Sequence, residues 1–176
     1  MGKRSDFERA PRDFYPTPRE AVLPLVPFIS IVAGGYYIEP CAGDGALERH
    51  IADLVPNLVC AASFDVEPRA SFIEQRDALM GGWTRALYIT NPPWDRKILH
   101  PLIERLTENG GKAWLLFDAD WMHTKQAAPY LPRLRKIVSV GRVKWIPDSK
   151  MTGKDNCCWY YFSQPSDEPT AFYGRQ

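Results

Sequence analysis

Tyr36-Tyr37-Ile38-Glu39-Pro40-Cys41-Ala42-Gly43-Asp44-Gly45 reads as a short strand that stops at Glu39-Pro40, a glycine-bearing turn, and the entry to a helix. That helix is expected over residues 45–55, where Leu47, Ile51 and Leu54 recur at helical spacing. Upstream, Thr17-Pro18-Arg19-Glu20 has the form of a helix start, with Thr17 as the cap and Pro18 in the first turn. Pro24 and Pro27 shorten or kink this first helix, and Gly34-Gly35 ends it. Downstream, residues 58–64 are nearly continuously apolar, the pattern of a strand covered on both faces. Asp65-Val66-Glu67-Pro68 closes that strand and opens a short helical stretch.

The same alternation continues. Residues 86–90 form a strand ending at Asn91. Ile98, Leu102, Ile103 and Leu106 mark a helix closed by Asn109-Gly110-Gly111, and residues 113–117 form the next strand. Residues 120–134 read as helical despite Pro129 and Pro132. The last third changes character: strands at 137–146 and 157–162 are joined by a polar loop at 147–156 with no helix between them. An antiparallel strand pair therefore finishes an otherwise parallel sheet, and the fold class is α/β.

Bulk properties set the frame. At 176 residues the chain is one domain, residues 1–176, with 1–13 and 164–176 as its flexible ends. Hydrophobic residues at 45% and charged residues at 24% are enough to build a core and exclude a disordered tail. With 22 Lys+Arg against 21 Asp+Glu, the net charge of +1 excludes wrapping of nucleic acid by bulk charge, though not a local basic face. No apolar run can span a bilayer and none follows Met1 as a signal segment, so the expectation is a soluble, cytoplasmic protein without membrane contact. Cys41, Cys60, Cys157 and Cys158 form no C-x-x-C pair, and His50, His100 and His123 are scattered; the cysteines read as free thiols and no metal site is expected.

In an open α/β sheet, ligands lie beyond the carboxyl ends of the strands. Those ends here carry the turn 39–45, then Asp65, Asp77, Asn91-Pro92-Pro93-Trp94 and Asp118. Gly43 and Gly45 allow close backbone approach, but neither G-x-G-x-x-G nor a P-loop lysine is present. Glu39 and Asp44 suit a cationic or hydroxyl-bearing ligand better than a pyrophosphate; the turn equally serves as a strand-to-helix connection capped by Asp44. Asp65 follows the glycines by about 20 residues, the spacing at which an acid reaches ribose hydroxyls, and Asp77 can accept from an adenine amino group. In Asn91-Pro92-Pro93-Trp94, two prolines fix the backbone and remove its N–H groups, Asn91 supplies an acceptor and Trp94 a flat face for a planar base.

Taken in order, Y-P-T-P, E-P-C-A-G-D-G, F-D-V-E-P, R-D-A-L and N-P-P-W resemble the class I S-adenosylmethionine-dependent methyltransferases, over about residues 13–163. Within them the chain looks most like the bacterial and phage DNA N6-adenine methyltransferases. The resemblance implies a three-layer Rossmann-like sandwich with a mostly parallel seven-stranded sheet. It implies S-adenosyl-L-methionine as cofactor, held by Thr17 at the methionine carboxylate and by Glu39, Ala42, Gly43 and Gly45 along the methionine and ribose. Asp65 would take the ribose hydroxyls and Asp77 the adenine amino group; Asn91 and the Pro92 carbonyl would hold the target amine, with Pro93 rigidifying and Trp94 stacking. The implied acceptor is an exocyclic amino nitrogen, most simply adenine N6 in DNA, with an RNA base, a protein glutamine amide or a non-catalytic cofactor-binding subunit as alternatives. The candidate nucleic-acid contacts are the basic N-terminus (Lys3, Arg4, Arg9 and Arg12) and Lys150 and Lys154 in the 148–156 loop. Only residues 78–90 separate Asp77 from Asn91, so no separate target-recognition domain is expected; the expectation is low sequence selectivity, a very short target, or dependence on a homodimer or partner subunit.

Overall fold

The computed structural model describes residues 14–30, 35–146, 153 and 155–175. Two short helices come first, α1 (Arg19–Val22) and α2 (Val26–Ile29), separated by a 3-10 turn at Leu23–Leu25. Pro24 and Pro27 each remove a backbone donor, and that is why one continuous helix does not form. Thr17 is not the cap: Pro18 holds that position and no side chain caps the helix.

Eight strands come next, with two long helices among them: β1 (Tyr36–Glu39), α3 (Ala46–Leu54), β2 (Val59–Asp65), β3 (Glu74–Gln75), β4 (Leu87–Thr90), α4 (Arg96–Thr107), β5 (Lys112–Asp118), β6 (Leu134–Arg142), β7 (Asn156–Phe162) and β8 (Ala171–Tyr173). They form one sheet in the order β3-β2-β1-β4-β5-β7-β6-β8. All pairings are parallel except those of β7, which runs antiparallel to both β5 and β6. The sheet thus has one strand more than the expected seven. Neither β3 nor β8 is among the six strands located in the sequence; β8 lies in the 164–176 segment read as a loose end and pairs with β6 at Lys136, Ile137 and Val138.

Three other expectations change. Residues 66–73 form turns, not a helical stretch, and lead into the two-residue strand β3. Residues 120–134 fold as two 3-10 segments, Ala119–His123 and Lys125–Arg133, because Pro129 and Pro132 block an α-helical ladder. Finally, β2 is not covered on both faces: Val59 is half exposed. Among the described residues the connection from β2 to β4 contributes no helix; Ala78 and Trp83 pack against Phe64 at the end of β2, while its start at Val59 stays open.

Burial splits by strand period. On β5, Ala113, Leu115 and Phe117 face the cluster built around α4, with Leu99, Leu102, Ile103 and Leu106, whereas Trp114 and Leu116 face the one built around α1–α3. The neighbours Cys157 and Cys158 on β7 point into opposite layers for the same reason, and all four cysteines are free. Phe117 stacks on Tyr160 with centroids 4.2 Å apart, and Trp121 meets both rings edge-on. On the other face, the buried Trp159 indole donates to the Ala21 carbonyl at 2.8 Å and ties α1 to the sheet.

Among the parallel strands of the first half of the sheet, chain order reverses direction between β1 and β4. The carboxyl ends of these adjacent strands, Glu39 and Thr90, therefore flank the crevice where such sheets bind ligands. The Thr90 hydroxyl donates to the Cys41 carbonyl at 3.3 Å across that crevice.

Replacing Trp159 with Phe keeps most of the packing but leaves the Ala21 carbonyl unpaired. We expect a loss of about 1–3 kcal/mol, read as a lower urea midpoint at unchanged slope. An unchanged midpoint would show that this bond does not anchor α1.

Candidate active site

The glycine turn is built against the end of β2. The Ala42 N–H donates to the Phe64 carbonyl and the Gly43 N–H to Asp65 Oδ2, both at 2.8 Å, while the Gly43 carbonyl accepts from Arg69 N at 2.8 Å. Gly43 has φ +58° and Gly45 φ +78°, conformations that cost a side-chain-bearing residue strain. Space forbids a side chain as well: a Cβ on Gly43 would lie 2.7 Å from the Phe14 ring. Asp44 accepts from Ala46 N at 3.0 Å and pairs with Arg49 at 3.3 Å, so it does serve the start of α3.

Asp65 has a second backbone donor, Glu67 N at 2.8 Å on Oδ1. Each carboxylate oxygen keeps a further lone pair for a ligand hydroxyl. Asp77 closes a turn of its own by accepting from Leu79 N at 2.8 Å. Across the crevice, Asn91 Nδ2 donates to the Thr17 hydroxyl at 3.2 Å. That bond fixes the amide's orientation and leaves Asn91 Oδ1 as an acceptor. Thr17, displaced from its expected capping role, is buried here.

These residues enclose a cavity of about 730 Å³. Thr17, Glu39, Ala42, Gly43, Asp65, Asp77, Asn91 and Pro93 line it, eight of the thirteen positions singled out from the sequence. Gly45, Pro92 and Trp94 do not. Gly45 faces the Phe72 ring, and Pro92 is buried behind the strand end. The Trp94 indole donates to the Leu116 carbonyl at 3.2 Å and packs edge-on against Trp145 with centroids 5.8 Å apart, so its ring is part of the packing between the two cores. Lys150 and Lys154 lie outside the described residues.

Phe14, Tyr15 and Arg69 line the cavity too and were not anticipated. The Arg69 guanidinium sits 3.8 Å over the Phe14 ring, and Tyr15 meets Trp145 at 6.5 Å. The available signal was the aromatic pair directly preceding Pro16-Thr17. Among the described residues six carboxylates line the cavity (Glu39, Asp44, Asp65, Glu67, Asp77 and Asp95) against a single cationic side chain, Arg69. Glu39 is 1% exposed; burial and the charges of Glu48, Asp44 and Asp65 raise its carboxyl well above the usual range, opposed by a hydrogen bond from the Glu48 backbone. Burial likewise pushes the Cys41 thiol up, which makes it a poor nucleophile.

No family model matches the chain, and no curated protein does. Solved structures do. A modification subunit of a putative type I restriction enzyme from Vibrio vulnificus YJ016 aligns with a TM-score of 0.56 and 13% identity, over 92% of this chain and 47% of its own. The type I restriction-modification methyltransferase subunit from Streptococcus thermophilus aligns at 0.60 and 10%, over 91% and 47%. The 23S rRNA methyltransferase ErmE aligns at 0.54 and 16%, over 89% and 71%. The chain thus spans about half the length of the two restriction-system subunits. Its fold is that of the Rossmann-like methyltransferases. With three strands on one side of the reversal and five on the other, the sheet keeps that plan and adds β8 at its edge.

Asp65→Ala strips acceptors from two backbone N–H groups at once. A stability loss of about 1–3 kcal/mol is expected in denaturant titration, against a few tenths for Asp77→Ala on the exposed rim. Equal losses would show that the glycine turn stands without Asp65.

Proposed function

We propose that the protein is an S-adenosylmethionine-dependent methyltransferase acting on an exocyclic amino nitrogen, most simply N6 of adenine in DNA. The observation that carries this reading is the placement of Asn91: its acceptor oxygen stands at the sheet's reversal point, on the rim of an acidic cavity built from the glycine turn. Methyltransferases of restriction systems and of ribosomal RNA share the fold, which favours a nucleic-acid acceptor.

The cavity fits the cofactor on its own terms. Glu39 Oε2 is buried without a hydrogen-bond partner among the described residues, and a carboxylate-rich lining suits a ligand with a sulfonium charge. Thr17, Glu39, Ala42 and Gly43 would hold the methionine end, Asp65 the ribose hydroxyls and Asp77 the adenine amine. When bound, S-adenosylmethionine supplies a methyl group already activated for transfer.

Catalysis by the chain is then positioning and exclusion of water. Asn91 Oδ1 accepts a hydrogen of the target amine and turns its lone pair toward the cavity. Pro92 and Pro93 bring no N–H groups to compete for that acceptor. Trp94, locked by Leu116 and Trp145, supports this loop from behind. A base in duplex DNA must leave its stack to reach the site, at a cost of a few kcal/mol. Lys150 and Lys154 offer sequence-independent phosphate contacts toward that cost, and a homodimer or partner subunit would supply target choice.

Incubation with labelled S-adenosylmethionine and unmethylated DNA, RNA or protein tests the acceptor. Label is expected in DNA as N6-methyladenine; label in RNA or protein alone would move the assignment to that acceptor. Asn91→Ala should lower turnover by the equivalent of about 2–4 kcal/mol while cofactor affinity stays nearly constant. Wild-type turnover in that variant would remove Asn91 from the site.

A further inference from the structure

Around Glu39, behind the glycine turn, lies a group of titratable side chains whose protonation the methyl-transfer reading does not use. Glu39 Oε2 and Glu48 Oε2 are both buried without a hydrogen-bond partner among the described residues. Glu39 ends β1 and lines the cavity, whereas Glu48 sits in the first turn of α3 and does not. The Tyr37 hydroxyl from β1 and the Cys60 thiol from β2 feel both carboxyls; burial raises both groups, the thiol to about 12, so each stays neutral. Asp44 in the turn and Asp65 at the end of β2 add negative charge toward Glu39. Arg49, the nearby cation of α3, is turned outward onto Asp44. The strongest charges acting on Glu39 are therefore all of its own sign.

A buried carboxylate with no cation beside it, in a group of acids, is not stable as an anion. The group changes state once a positive charge enters the cavity it lines. On the reading above, on which this step rests, the ligand's amino-acid end carries its own ammonium and carboxylate, so the uncompensated charge is the sulfonium. We propose that Glu39 rests as the neutral acid, gives up its proton to solvent as S-adenosylmethionine binds, and so lets the cavity tell the sulfonium cofactor from its uncharged demethylated product. The charge balance is simple: one cation enters and one proton leaves. On methyl transfer sulfur loses its positive charge and the methylated amine sheds a proton, while Glu39 takes a proton back from solvent. The neutral acid then has no cation to hold, which favours release of the product.

The linkage has a definite sign. The proton is bound in the free site and absent from the loaded one, so cofactor affinity rises with pH and product affinity does not. Calorimetry of the whole chain, in buffers of differing ionisation enthalpy, reads the proton directly. S-adenosylmethionine is expected to release about one proton near neutral pH and its Kd to fall up to about tenfold per pH unit, whereas the demethylated product releases almost none. Glu39→Gln, which mimics the protonated form, should abolish the release and weaken the cofactor at least about tenfold while changing product affinity little. Glu48→Gln removes the neighbouring charge without touching the cavity lining and should reduce the protons released. Buffer-independent heats for the cofactor in the wild-type protein would overturn the proposal, whatever the variants do. If neither ligand bound at all, the cofactor reading itself would fall, an outcome distinct from tight binding without proton release.

Discussion

The Asp65 carboxylate joins two segments that the sequence keeps 22 residues apart, accepting the Gly43 N–H on one oxygen and the Glu67 N–H on the other. Much of the site depends on that seam. It holds the glycine turn against the end of β2, and with Gly43 fixed the Phe14 ring can lie where any side chain would otherwise stand. Phe14 in turn receives the Arg69 guanidinium, whose backbone N–H returns to the Gly43 carbonyl. One short circuit of backbone bonds thus places the floor, the near wall and the aromatic strap of the cavity.

The opposite wall is assembled by different means. There, the reversal between β1 and β4 brings Asn91 to the crevice, and the Thr17 hydroxyl orients its amide. Tyr15, Pro16, Pro93 and Ile98 give this side more apolar surface than the glycine-turn side, although Asp95 adds a carboxylate here too.

The parts of this arrangement that were legible in the sequence are those with a local cause. Strands β4 and β5 announce themselves because both faces are buried and the apolar run is unbroken. The glycine turn and the N-P-P-W tetrapeptide are legible because their backbone constraints belong to the residues themselves. What was missed has non-local causes. Glu74-Gln75 is polar and exposed and becomes a strand only because the end of β2 offers it a ladder. Ala171–Tyr173 likewise pairs with an edge that β6 leaves open. The sequence shows a tryptophan after two prolines but not the side of the chain from which its ring leaves, and here it leaves toward Leu116, not the cavity.

The missing helix between β2 and β4 has one more consequence. Turns and a two-residue strand form the rim near Asp77, whereas the Asn91 side is backed by α4 and by β5 buried throughout its centre. Few ladder bonds and little buried apolar surface mark the segments of a protein that open locally at low cost. Residues 66–72 have both traits, whereas Ile73, Ala78 and Trp83 anchor the rest of the connection in the core. Amide hydrogens in residues 66–72, that of Arg69 excepted, should therefore exchange with solvent well ahead of those in β4 and β5. The wall that opens most readily is then the one carrying Glu67 and Arg69, so the cavity has one yielding flank and one, beside Asn91, that is held rigid.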